Sequence, residues 1–365
     1  MKVPLLDLKA QYAPIQKELE TAALNVLREG RYVLGPDVAE LERELAAYLG
    51  VKHVVTCASG SDALLLALMA LEIGPGHEVI TTPFTFFATV SAITRLGAKP
   101  VFVDIEPDTF NLDVTAIAEK ITSRTKAILP VHLFGQCAEM APLQKLGLPI
   151  VEDACQSIGA TYRGQMAGTM GTIGAFSFYP TKNLGCAGDG GALSTNDDAL
   201  AERLRQLRNH GMEPRYYHAR VGINSRLDTI QAAILRVKLK HLNAWTETRR
   251  RHAALYTELL NPIRGIKTPV AHPDCFHVFN QYTLRASRRD ALRAHLQQAG
   301  VASEIYYPVP LHLQECFTPL GYKRGDFPEA ERAAAEVLSP PVYPELTVEQ
   351  IRHVASAVAT FAAIA

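Results

Sequence analysis

The chain has 365 residues, 48% hydrophobic and 20% charged, a balance that supports a large core and excludes disordered or fibrous architecture. Lysine plus arginine total 37 and aspartate plus glutamate total 37. With no global field to hold a nucleic-acid backbone or an anionic membrane surface, any anionic ligand has to be held by local groups.

The chain opens with an extended arm, a helix from Pro14 to Arg28, a glycine-bounded loop GRYVLGP at Gly30 to Pro36, and a second helix from Asp37 to Tyr48. Asp7 and Lys9 stand where a secretory leader would be apolar, and the longest apolar run, Ala63 to Leu71, is far short of a membrane span. A cytoplasmic protein is expected. From His53 to about Thr195, seven β-rich runs (HVVTCA, EVITT, PVFVDI, AILPVHL, PIVED, GAFSF, GALST) alternate with amphipathic segments. They predict a mostly parallel seven-stranded sheet covered by helices.

After the last run a basic stretch, Arg203 to Arg226, reads as helical, and a periodic segment follows from Leu227 to about Leu260. A smaller α+β domain is expected from Trp245, dividing the chain into 1–244 and 245–365. Its elements are a strand in QYTLRA, a helix from Arg289 to Ala299, a proline-rich loop YYPVPLH, and a closing helix from Val348 to Ala363. The six cysteines are scattered without C-x-x-C or histidine spacing, which indicates buried free thiols and no metal.

In such sheets the ligand lies outside the carboxyl ends of the strands, so polar residues that finish an apolar run carry functional weight. Ser59-Gly60-Ser61-Asp62 opens the apolar helix ALLLALMAL and offers free N–H groups to a phosphate, although a serine there also serves as a simple helix cap. Asp153 ends PIVED, with Gln156 one turn beyond it. Lys182, in FSFYPTKNLGCAGDGG, sits among aromatics and glycines, a setting for a depressed pKa and Schiff-base chemistry or, alternatively, for a solvated turn lysine. One cofactor wants all of these together. Pyridoxal phosphate needs a lysine, a carboxylate at the pyridine nitrogen, a phosphate cradle such as Gly60, Ser61 and Ser177, and an aromatic such as Phe86 over the ring.

FVDIEPDTFNLD, VEDACQSIGA, GAFSFYPTKNLGCAGDGGAL and GINSRLDTIQAAIL resemble the DegT/DnrJ/EryC1/StrS family of sugar aminotransferases, and the resemblance runs from PLLDLKAQYAPI to LSPPVYPEL. It implies a fold type I enzyme that uses pyridoxal phosphate. Lys182 would bond covalently to the cofactor, Asp153 would meet the pyridine nitrogen, and Gln156 and Phe86 would flank the ring. Gly60, Ser61 and Ser177 would hold the phosphate, with Asn224 reaching over from the second subunit of a homodimer. Two departures are the Ser59-Gly60-Ser61-Asp62 segment, where Asn-Gly-Thr-Asp is common, and Pro340, where leucine is usual. Relatives that carry histidine at the lysine position are dehydratases, whereas this chain keeps Lys182.

The stretch RNHGMEPRYYHARVGINSRLD looks like that of aminotransferases acting on UDP-2-acetamido-2-deoxy-3-oxo-glucuronate. That resemblance implies a ping-pong transfer of the amino group of glutamate, which leaves as 2-oxoglutarate, to a nucleotide-linked keto-sugar of an O-antigen or similar surface glycan. Arg226 would meet a carboxylate of either substrate, and Tyr307 and His312 of YYPVPLH would reach the sugar, unless that loop is only a stiff connector with buried tyrosines. Rival readings are a dTDP-3-oxo or 4-oxo-hexose aminotransferase and a regulatory protein that binds the cofactor without turnover. A generic nucleotide-binding module is set aside because neither G-x-G-x-x-G nor a P-loop follows the first strand.

Overall fold

Seven short strands form the central sheet: β1 (His53–Cys57), β2 (Glu78–Thr81), β3 (Lys99–Phe102), β4 (Thr125–Ile128), β5 (Val151–Asp153), β6 (Ile173–Ser177) and β7 (Gly191–Thr195). In the computed structural model, which describes residues 1–364, their spatial order is β1-β7-β6-β5-β4-β2-β3. Strand β2 pairs in parallel with β3 and β4, and β5 pairs in parallel with β6. Parallel bridges at Ile128–Ile150 and Val131–Asp153 join the two halves. Strand β7 runs antiparallel to both of its neighbours, β1 and β6. The mostly parallel seven-stranded sheet expected from the alternating runs is the sheet that forms.

Both sheet faces are buried, because successive residues of one strand enter opposite cores. Val54, Phe176 and Ala192 pack on one side, and Val55, Ala175 and Leu193 on the other, so the strands carry little polar alternation. The helices are α1 (Gln16–Glu29), α2 (Pro36–Leu49), α3 (Gly60–Ala70), α4 (Phe87–Arg95), α5 (Asp198–Leu207) and α6 (Thr229–Leu239). Helices α3, α4 and α5 cover one face, and α2 and α6 the other. Helix α2 starts on Pro36 and stops at Gly50, which takes φ +71°, the start and stop chemistry that the sequence displays.

Helix α7 (Leu242–Leu260) runs unbroken past Trp245 and leads to a three-stranded antiparallel sheet of Ile266–Lys267, Leu284–Ala286 and Val337–Leu338. Helices α8 (Arg289–Gln298), α9 (Pro328–Glu336) and α10 (Val348–Ile364) complete this part. Its core is continuous with Phe84, Phe102 and Phe110 beside the central sheet. The Asp104 carboxylate adds a polar tether, accepting the Glu329 and Ala330 N–H groups, both at 2.9 Å, at the start of α9. Among the described residues no helix is long and apolar enough to cross a membrane.

Three expectations change. The arm is not wholly extended: Asp7 accepts the N–H groups of Lys9 and Ala10 at 3.0 Å and starts a short helix, Leu8–Tyr12. The helix in the basic stretch ends at Leu207, and residues 208–228 form a loop around Gly211, at φ +69°, with Pro214 and Gly222 also unsuited to a helix. Finally, Cys316 is exposed, whereas Cys57, Cys137 and Cys186 are buried.

Candidate active site

Strands β1, β6 and β5 end at one edge of the sheet, with the start of β7 between the first two, and their C-terminal residues border one crevice. At the end of β1, Ser59 caps α3, its hydroxyl accepting the Asp62 N–H at 3.1 Å. The N–H groups of Gly60 and Ser61 then lie at the open positive end of the helix. Ser61 is exposed. A Cβ on Gly60 would lie 2.5 Å from the Cβ of Ser177, 3.0 Å from its hydroxyl and 3.1 Å from the Cys155 sulfur. The glycine is therefore what lets the end of β6 approach the helix terminus, and the pair leaves an opening that a phosphate could fill.

Asp153 closes β5 and is buried. Its Oδ2 accepts the hydroxyl of Thr89 at 2.8 Å and its Oδ1 the N–H of Cys155 at 3.2 Å. Gln156 is oriented from both ends: its Oε1 accepts the Phe134 N–H at 2.7 Å, so its Nε2 faces the Tyr307 hydroxyl, to which it donates at 3.0 Å. Burial pushes the Tyr307 phenol well up, which keeps it protonated. Phe86 is 55% exposed at the start of α4, its ring centroid 6.0 Å from that of Tyr307. A flat ring stacked there would cover apolar surface that the chain otherwise leaves to water.

Lys182 lies in the loop between β6 and β7. The loop folds back on itself through Phe178 N–H to Gly190 carbonyl and Cys186 N–H to Phe178 carbonyl bonds, both 2.7 Å. A Cβ on Gly185 would lie 2.6 Å from the Pro180 carbonyl, so the turn needs glycine. Helix α6 clamps the loop from outside, Gln231 accepting the Ala187 N–H and Lys238 donating to the Gly185 carbonyl, both at 2.8 Å. Lys182 is half-buried, and desolvation lowers its pKa against the opposing influence of Cys155 and Asp153. A lysine more readily neutral than usual is a better nucleophile toward an aldehyde.

Not every expected residue joins this group. His312 is 2% exposed, its Nε2 lies 3.1 Å from Glu331 and its ring packs on Phe327. Its polar contact therefore runs into α9 and not to Tyr307. Arg226 is half-buried and donates to Asn209 at 2.8 Å, while Asn224, on the same loop, is exposed. Sequence reasoning missed Thr89, Gln231, Lys238 and His132. The last of these is fully buried, its Nε2 2.8 Å from Glu152 and its Nδ1 accepting the Ala138 N–H. Glu152 also takes the N–H groups of Gly168, Met170 and Gly171 at 2.8, 2.7 and 2.5 Å, so it is committed to structure while its neighbour Asp153 faces the crevice.

A family model described as the DegT/DnrJ/EryC1/StrS aminotransferase family matches residues 14–359. The chain belongs to this family. It is 52% identical over 99% of both chains to the pleiotropic regulatory protein of Geobacillus stearothermophilus. Over 97% of this chain and 99% of the other it is 45% identical to the UDP-2-acetamido-2-deoxy-3-oxo-D-glucuronate aminotransferase of Pseudomonas aeruginosa. Among solved structures it superposes with a TM-score of 0.97 on DesV of S. venezuelae in complex with a ketimine intermediate, at 47% identity over 99% and 98% of the two chains. As a member, this aminotransferase has the fold type I architecture and uses pyridoxal phosphate. The residues present fit that cofactor: a glycine-opened cradle, a buried carboxylate, an exposed aromatic and a lysine with a lowered pKa.

Proposed function

We propose that this sugar aminotransferase moves the amino group of glutamate to UDP-2-acetamido-2-deoxy-3-oxo-D-glucuronate, in the cytoplasm, for a surface polysaccharide such as O-antigen. Bound pyridoxal phosphate supplies an electron sink for the carbanion formed at the donor's α-carbon. Lys182 holds the cofactor and, once displaced by an amine substrate, moves the proton at that carbon. Asp153 pairs with the pyridine nitrogen, Gln156 and Phe86 flank the ring, and Gly60, Ser61 and Ser177 receive the phosphate. Tyr307 turns its hydroxyl proton toward the sugar, because its oxygen already accepts from Gln156. His312 supports the sugar side through the loop it anchors. Residues 1–244 serve as the cofactor-binding part and 245–365 as the smaller part that brings Tyr307.

Arg226 carries the choice of a uronic substrate. Among the described residues no carboxylate forms an ion pair with it, and its side-chain partner is the neutral amide of Asn209. Both glutamate and a uronic keto-sugar bring a carboxylate of the kind a fork-shaped guanidinium binds, and they would occupy this arginine in turn. Around it the loop exposes Tyr216, Tyr217 and Val221 at 74%, 70% and 91%. Apolar side chains so exposed on one loop support a homodimer in which Asn224 and its neighbours complete the partner's site.

Visible absorbance before and after glutamate tests the reading, with borohydride trapping and Lys182→Ala as the control. Glutamate is expected to convert the cofactor band, and only the lysine-bearing protein should be labelled. A cofactor band unmoved by glutamate favours a purely regulatory protein. Arg226→Ala should lower kcat/KM for the uronic keto-sugar at least about tenfold, the loss of one charged hydrogen-bond pair, and spare a dTDP-linked neutral keto-sugar. Equal loss on both sugars overturns the uronic substrate.

A further inference from the structure

Thr85 and Thr89 lie one turn apart at the start of α4, and both are buried, at 2% and 0% exposure. Their hydroxyl oxygens are 2.9 Å apart, and Thr89 Oγ1 is 2.8 Å from Asp153 Oδ2. A hydroxyl has one proton, and an ionised carboxylate can only accept. The Thr89 proton is therefore committed to Asp153, and Thr85 has to donate to Thr89. The result is a one-way chain of hydroxyls, Thr85 to Thr89 to Asp153. The other oxygen, Oδ1, receives the Cys155 N–H at 3.2 Å, so the carboxylate is held at both oxygens and cannot rotate without breaking a charge-assisted bond.

We propose that Thr89, backed by Thr85, is a positioning residue that holds the Asp153 carboxylate in the orientation in which it meets the pyridine nitrogen of the cofactor. The proposal rests on the placement of Asp153 given above. Thr89 has no exposed surface to offer a cofactor or a substrate. It acts through Asp153, fixing the direction of the one carboxylate that sets how well the ring accepts electrons. Valine has nearly the shape of threonine, so Thr89→Val removes the hydroxyl and little volume.

The test uses the whole enzyme and the variants Thr89→Val, Thr89→Ser, Thr85→Val and the double valine variant. Three quantities are read: the dissociation constant of pyridoxal phosphate from the apoprotein, the pH midpoint of the bound cofactor's visible band, and kcat separately from KM. Thr89→Val is expected to weaken cofactor retention and to lower kcat, each about tenfold or more, the usual worth of a hydrogen bond to a charged group. KM should stay near the wild-type value and the midpoint should move. Thr89→Ser should restore all three. Thr85→Val should show a smaller loss that vanishes in the Thr89→Val background, because a chain has nothing to transmit once its second link is gone.

Wild-type retention and an unmoved midpoint in Thr89→Val overturn the proposal, as does a Thr85→Val loss of equal size in both backgrounds. If Thr89→Val fails to fold, Thr85→Val read in the wild-type and Thr89→Ser backgrounds decides: an unchanged midpoint in both overturns it. A wild-type protein that takes up no pyridoxal phosphate would instead refute the placement of Asp153, and the proposal with it.

Discussion

At the scale of the residue, the site depends on one missing side chain. Gly60 lets Ser177 come to the end of α3, and a methyl group there would sit 2.5 Å from a carbon that cannot leave the sheet. Gly60→Ala is expected to push the Ser177 end of β6 away and to weaken binding of pyridoxal phosphate about tenfold or more, with the fold intact, as equilibrium titration of the apoprotein would show. Gly60, Asp153 and Lys182 were legible in the sequence because each finishes an apolar run or interrupts it with glycine. Thr89 was not, because the residue that gives it meaning lies 64 positions away, and nothing local separates it from any other threonine in a helix. Glu152 shows the converse. It is as charged as Asp153 and stands beside it in the same strand, yet strand alternation turns it toward His132 and three backbone donors.

At the scale of the element, the lysine loop is shaped from inside by its glycines and held from outside by α6. Gln231→Ala removes the acceptor for Ala187, so the loop should become more mobile while the rest of the protein melts as before. Faster amide exchange over residues 182–190, together with slower trapping of Lys182 by pyridoxal phosphate, would display it. Unchanged exchange there would show that the glycine turn alone suffices. The strands were readable from their runs, since both faces are apolar. The loop at 208–228 was misread as helix, because it continues the basic stretch of the preceding helix until Gly211 and Pro214 are weighed against it. The clamp by Gln231 and Lys238 was invisible, since both residues fit an ordinary amphipathic helix.

At the scale of the whole molecule, histidines drawn out of water are expected to make the fold sensitive to acid. His277 is stacked on Phe279 at 3.9 Å and accepts its N–H at 2.9 Å. Burial, helped by Arg250, lowers its pKa to about 3 from 6.5, and burial lowers those of His252 and His312 as well. Below pH 6.5 the unfolded chain takes up protons that the native histidines refuse, so stability falls as pH falls, by up to about 1.4 kcal/mol per pH unit for His277 alone. Urea unfolding at pH 7.5 and 5.5 should show that loss. His277→Asn, which keeps an acceptor for the Phe279 N–H, should flatten the slope. An equal slope in the variant would assign the acid sensitivity to other groups.

The insertion of β7 between β1 and β6 bears on how the chain is made. Until residue 195 has been synthesised, β1 has no partner and β6 presents a bare edge, the kind of unpaired strand that recruits other chains. The lysine loop is the connection that delivers β7 to its slot, so the last strand seated in the sheet brings Lys182 with it. On the ribosome, a nascent chain is therefore expected to gain the ability to capture pyridoxal phosphate at the same step at which the gap between β1 and β6 closes.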